Sequence, residues 1–157
     1  MDITNTPTPG VLTKEDTIEE LNDVTRLMID SYKGYKEAAD EADDSFALKS
    51  EFAKRAEERS ALIGQVQNHV RELGGEPSTY GTMRGAVHRG WVNFANVFRD
   101  DEHGAMSSVA NGERFLAARI EDCIEDGQLD GQGVALLQKA HAEACSAASE
   151  FERRDDR

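Results

Sequence analysis

The sequence predicts an all-α protein, a four-helix bundle, and three observations carry that prediction. Apolar residues recur at spacings of three and four over long stretches. Only three prolines interrupt the 157 residues, two of them among the first nine, so long helices can run unbroken. Hydrophobic residues make up 38% and charged residues 31%, the balance of amphipathic helices rather than of a large β core. One domain is the natural reading of this length, with enough chain to bury a real core.

Residues 1–12 are rich in Thr, Pro and Gly and read as a flexible tail. Thr13 with Asp16, or Thr17 with Glu20, offers a capping-box start to the first helix. Ile18, Leu21, Thr25, Met28, Tyr32, Tyr35, Ala39 and Ala42 then hold a three-four alternation, the seam of a bundle. Asp43-Asp44-Ser45 reads as a turn and N-cap. The second helix is predicted over residues 46–73, with Leu48, Phe52, Ala56, Ile63, Val66 and Val70 on one face and Arg59 at its centre. Gly74-Gly75-Glu76-Pro77 stops it.

Residues 82–98 predict a shorter helix carrying Met83, Val87, Trp91, Phe94, Val97 and Phe98. Trp91, Phe94 and Phe98 are its interface candidates. The third helix runs to about residue 126 with Met106, Val109, Leu116, Ile120 and Ile124 as its stripe. Gly127, Gly131 and Gly133 mark a loop. The last helix is predicted over 134–151, where Ala140, Ala144, Ala147 and Ala148 imply a close helix approach. Residues 153–157 read as a frayed tail, which leaves 13–152 as the domain. Connections are short within the first and second pairs of helices and long between them. Two hairpins joined by a long crossover form the ferritin-like up-down topology, with residues 82–98 as the crossover helix.

Several polar residues fall on core-facing stripes near mid-helix. Glu113 lies between Val109 and Leu116, close to the centre of the third stripe. A carboxylate there needs a cation, a metal or a proton, because an isolated buried charge is very costly. Arg59 is the natural counter-ion, since guanidinium suits a buried bidentate pairing. Tyr32, Tyr35 and His141 lie at a similar level and complete the expected buried network. The alternative is an iron or manganese centre. Ferritin-like di-iron sites draw carboxylates from two helices and Glu-x-x-His from the other two. Here Gln138-Lys-Ala-His141 is a weakened form of that motif, and Glu113, His141, Gln138 and Glu58 are the candidate ligands. No cofactor is the primary expectation. A cation at the centre repels a second one, and Glu57 and Glu58 are followed three residues on by Ser60 and Ala61, not histidine.

Other signals are weaker. His69 is expected at the edge of its helix face and partly exposed. His103, after Asp100, Asp101 and Glu102, is expected at a helix start. Cys123 and Cys145 lie on separate predicted helices, have no metal-ligand spacing and are read as thiols without a nearby base. A net charge of −13 argues against nucleic acid and against an anionic membrane surface as partners. There is no signal peptide and no apolar span, so a cytoplasmic protein is expected.

Asp30-Ser-Tyr-Lys-Gly-Tyr-Lys-Glu-Ala-Ala39, Ala56-Glu-Glu-Arg59, Glu72-Leu-Gly-Gly-Glu-Pro77, Gly85-Ala-Val-His-Arg-Gly-Trp91, Asn111-Gly-Glu113 and His141 occur in that order. Over roughly residues 15–152 the chain thereby resembles a bacterial domain-of-unknown-function family of ferritin-like four-helix-bundle proteins. The resemblance implies a ferritin-like fold and a stress-related role, without an established enzyme activity. Members of that family usually carry an acidic residue after the glutamate matching Glu113. This chain has Arg114, which weakens an inherited metal site. A non-catalytic bundle that self-associates, most simply as a homodimer, is the resulting expectation.

Overall fold

The structure, a computed structural model, describes residues 13–42, 44–82 and 101–155. Four helices make up nearly all of it: α1 (Lys14–Glu41), α2 (Phe46–Glu72), α3 (Glu102–Glu125) and α4 (Gly131–Asp155). There is no strand among the described residues. The predicted 82–98 crossover helix, with Trp91, Phe94 and Phe98, lies outside the described residues apart from Thr82.

Capping residues set the helix limits. The Thr13 hydroxyl accepts the Asp16 amide at 3.1 Å and donates to the Asp16 carboxylate at 2.6 Å, which selects the earlier of the two α1 starts. Ser45 caps α2 through the Leu48 amide at 3.3 Å. At its other end the Gly74 and Gly75 amides donate to the carbonyls of Arg71 and Val70, both at 2.9 Å. With Gly74 at φ 86°, this is a Schellman closure that a Cβ would strain. Helix α4 starts at Gly131, earlier than its apolar stripe predicts. The Asp130 carboxylate accepts the Gly133 amide at 2.9 Å, and its carbonyl accepts the Val134 amide at 2.9 Å. A well-made cap thus draws two glycines, expected in a loop, into the first turn.

Helix α1 packs chiefly on α2 and α3 on α4, with smaller contacts joining α1 to α3 and α2 to α4. Polar contacts fix the directions. At one end Thr17 donates to the Gln128 carbonyl at 2.7 Å and His69 meets Asp130. At the other, His103 meets the Asp155 carbonyl at 2.9 Å and Lys49 donates to the Ala39 carbonyl at 3.1 Å. Neighbouring helices are therefore antiparallel, while α2 and α3 run parallel across the diagonal. The end of α2 and the start of α3 lie at opposite ends of the bundle.

The residues after α2 are tied to the first hairpin. Asn22 donates to the Glu76 carbonyl at 3.0 Å and accepts the Ser78 amide at 2.8 Å, while Gln67 donates to the Ser78 carbonyl at 2.9 Å. Further on, buried Asp30 accepts both the amide and the hydroxyl of Thr82. A Cβ at Gly81 would collide with that Asp30 carboxylate.

The core interior holds Leu21, Met28, Leu62, Leu116, Ile120 and Leu137. Tyr35, Phe52 and Phe151 form a ring cluster with centroids 5.6–6.3 Å apart. The alanine stripe of α4 is buried, as the sequence predicts. Tyr32 departs from its expected core position: it is half-buried, and Ser31 takes the buried place beside it.

Candidate functional site

Arg59 lies mid-way along α2 and Glu113 mid-way along α3, so the diagonal brings both to the bundle centre at one level. Each is 1% exposed. The pairing is bidentate: Arg59 Nη2 donates to Glu113 Oε2 at 2.6 Å and Nη1 to Oε1 at 3.0 Å. Two parallel charge-assisted bonds satisfy the buried carboxylate without a metal or a proton.

Two of the three remaining guanidinium hydrogens are also used. Nη1 donates to the Ser31 hydroxyl, which in turn donates to the Met28 carbonyl at 2.8 Å. Nε donates to Glu143 Oε1 on α4 at 2.9 Å. All four helices therefore hold this one side chain. Burial works against the charge of Arg59, but the Glu113 carboxylate more than offsets it and leaves the guanidinium firmly protonated.

The Tyr35 ring lies beneath the guanidinium, its centroid 5.7 Å from the Arg59 carbon. Burial, followed by the Glu113 charge, pushes the Tyr35 hydroxyl well above the usual tyrosine range. The nearby Arg55 is engaged by Glu51 at 3.1 Å and Glu58 at 3.8 Å.

The remaining expected members lie elsewhere. Tyr32 is half-buried on the outer α1–α2 groove, where Lys36 Nζ sits 5.7 Å above its ring. This groove, about 390 Å³, is also lined by Ala39, Lys49, Ala53 and Ala56. His141 faces Glu121 at 3.8 Å, on the outer side of the second hairpin. Of the candidate metal ligands, Glu113 has both oxygens on Arg59, Gln138 is exposed, and Glu58 lies between Lys54 and Arg55. The structure does not bring these four together. Among the described residues no group of three or more His, Cys, Asp and Glu is placed to hold a metal ion.

Three features escape the sequence reading. Ser31 and Glu143 complete the Arg59 shell although neither lies at the centre of a stripe. His69 is 4% exposed rather than at the surface, because Asp130 takes its Nε2 at 2.8 Å while Glu72 lies 3.5 Å from Nδ1. Finally, Cys145 is one turn beyond His141, with its sulfur 3.8 Å from Nε2 and 3.9 Å from Nδ1. The i, i+4 spacing of that pair is the signal that could have found it.

Residues 16–126 match the family described as "Domain of unknown function (DUF2383)". The matched span covers most of α1 and all of α2 and α3, including Arg59 and Glu113. It ends before α4. Neither a curated protein nor a solved structure matches the chain.

Proposed function

The chain belongs to this DUF2383 family, and from that premise we propose a non-catalytic, ferritin-like helical bundle in which a buried ion pair occupies the place of a di-iron centre. The observation that carries this reading is the bidentate hold of Arg59 on both oxygens of Glu113 at the bundle centre. A permanent cation there repels a metal ion, and the carboxylate has no free oxygen to offer one. The ferritin-like assignment is supported by the two antiparallel hairpins and by the placement of the α2 end and the α3 start at opposite ends of the bundle.

The pair contributes specificity more than net stability, because desolvating two charges cancels much of their attraction. It fixes the level at which α2 meets α3 and α4. Within this reading the protein is a cytoplasmic homodimer with a stress-related role, the latter taken from the family resemblance. Light scattering should return twice the 17.3 kDa chain mass.

The decisive experiment is anaerobic titration of purified protein with iron(II) or manganese(II), followed by oxygen addition. We expect no stoichiometric binding and no oxygen uptake above buffer. Stoichiometric iron with oxygen consumption that disappears in Glu113→Ala would instead establish the alternative, a metal-binding protein or oxidase built on Glu113 and His141.

A further inference from the structure

We propose that the outer seam between α1 and α3 is a docking surface for residues 83–98 of the same chain, received there as a helix with Trp91, Phe94 and Phe98 on its inner face. The start of the path is fixed by α1, whose neighbours are α2 and α3. Tyr32 and Lys36 line the outer α1–α2 groove. Asp30 and Gly34 each stand two residues from Tyr32, about 200° around the helix, and so lie on the opposite flank, towards α3. Asp30 pins the chain to that flank by accepting the Thr82 amide at 3.1 Å and the Thr82 hydroxyl. Buried Gly34 is one turn further along the same row. The end of the path is Asp101, the N-cap of α3. Ser45 and Leu48 share a cavity with Glu102 and Met106, and the Ser45 amide donates to the Ala42 carbonyl at 3.0 Å. Helix α3 therefore begins level with the end of α1.

Length favours a helix for the connection. From Asp30 to Ala42 the bundle rises about 18 Å, and the step across to α3 adds about 8–10 Å sideways, a direct path of about 20 Å. As a helix, residues 83–98 measure about 24 Å, which matches that path. Fully extended, residues 83–100 would reach about 60 Å, roughly three times what is needed.

The seam also has a shape that receives a helix. Arg114 and Glu121 turn towards α4, through Glu152 and His141. Gly112, two residues before Arg114, therefore faces the other way, towards α1. Arg59 bonds both Ser31 and Glu113, which puts Gly34 and Gly112 at one level. Glycine inside a helix is costly relative to alanine, and two of them facing one seam at one level leave a notch for close backbone approach. A helix leaving Thr82 reaches that level, about 6 Å on, at Ala86 beside Gly85. The segment thus brings its own small residues to the notch. Beyond it, Val87, Trp91, Phe94 and Phe98 recur at spacings of four, three and four, an apolar face for the rest of the seam. Docked in this way, Trp91, Phe94 and Phe98 form an internal contact instead of a self-association surface. The same helix shields the flank of Glu113 from water.

Trp91 is the only tryptophan in the chain, so its fluorescence reports the segment directly. In the folded full-length chain its emission should lie to the blue of the urea-unfolded chain, and acrylamide should quench it several-fold less. Gly34→Ala and Gly112→Ala test the notch. On an open helix face alanine in place of glycine raises the urea midpoint. Under a docked helix each substitution should lower the midpoint and move Trp91 quenching towards the unfolded value. An accessible Trp91 in the wild type overturns the proposal, as does unchanged quenching in both variants. Protection that disappears on dilution to a monomer, followed by light scattering, also overturns it and gives the apolar face to a second copy. Should an alanine variant lose its helical circular dichroism, trypsin decides with the wild-type chain. Cleavage after Arg84, Arg89 and Arg99 as fast as in the unfolded chain overturns the proposal, and slow cleavage there supports it.

Discussion

At the scale of single residues, the Arg59–Glu113 pair decides the character of the core. Glu113→Ala leaves a buried guanidinium with Ser31 and Glu143 as its remaining hydrogen-bond partners. We expect a loss of about 3–5 kcal/mol in urea unfolding, against near-neutral or positive stability for Arg59→Met combined with Glu113→Leu. A single-mutant loss under about 1 kcal/mol would sink the structural role of the pair. Tyr35 gives a pH signature. Its folded pKa is raised above the unfolded value of 10.0, so its contribution is complete below pH 10 and is lost as pH rises towards the folded value. In that alkaline window wild type should lose up to about 1.4 kcal/mol per pH unit more than Tyr35→Phe. Parallel stability curves would show that Tyr35 is not the group responsible.

Arg59 and Glu113 were legible in the sequence because each sits at the centre of an apolar stripe, where a charge demands a partner. Tyr32 was misplaced for a physical reason. A three-four alternation fits two adjacent seams about 100° apart, and only packing chooses between them. The long Arg59 side chain fills the space in front of α1, which suits the small Ser31 and turns the bulky Tyr32 outward. Glu143 and His141 show the same ambiguity two residues apart on α4, where the alanines leave the stripe broad.

At the scale of elements, caps explain where the helices begin and end. The Asp130 carboxylate has two tasks, holding the Gly133 amide as the α4 cap and meeting His69 from α2. A Cβ at Gly133 would lie 2.6 Å from Asp130 Oδ1 and would push that carboxylate away. Gly133→Ala should therefore cost about 0.5–2 kcal/mol, the usual loss of an N-cap, instead of the gain expected for alanine in a helix. Increased stability would show that the cap relaxes without loss. The end of α2 was readable from Gly74-Gly75 and Pro77. The start of α4 was not, because the glycines at 131 and 133 signal a loop locally and only the distant His69 explains why Asp130 stays in place.

For the whole molecule, the four helices, their pairing and the long α2–α3 connection followed from periodicity and loop length, which are properties of the chain itself. What sits at the outer face of α3 and α4 did not. Glu121, His141 and Cys145 come from two helices, and their meeting depends on the rotation of each helix about its own axis. The net charge of −13 hides this local detail, since it is spread over the surface while the ion pairs that matter are few.

The diagonal ion pair also bears on how the halves recognise each other during folding. Contacts within each hairpin are local in sequence, so the hairpins can close before they meet. The inner face of the first then presents the Arg59 cation, and that of the second presents the Glu113 and Glu143 carboxylates. Two first halves repel at that level, as do two second halves, while unlike halves attract. The charges that contribute little to final stability thus act as a pairing code against like-with-like assembly between neighbouring chains.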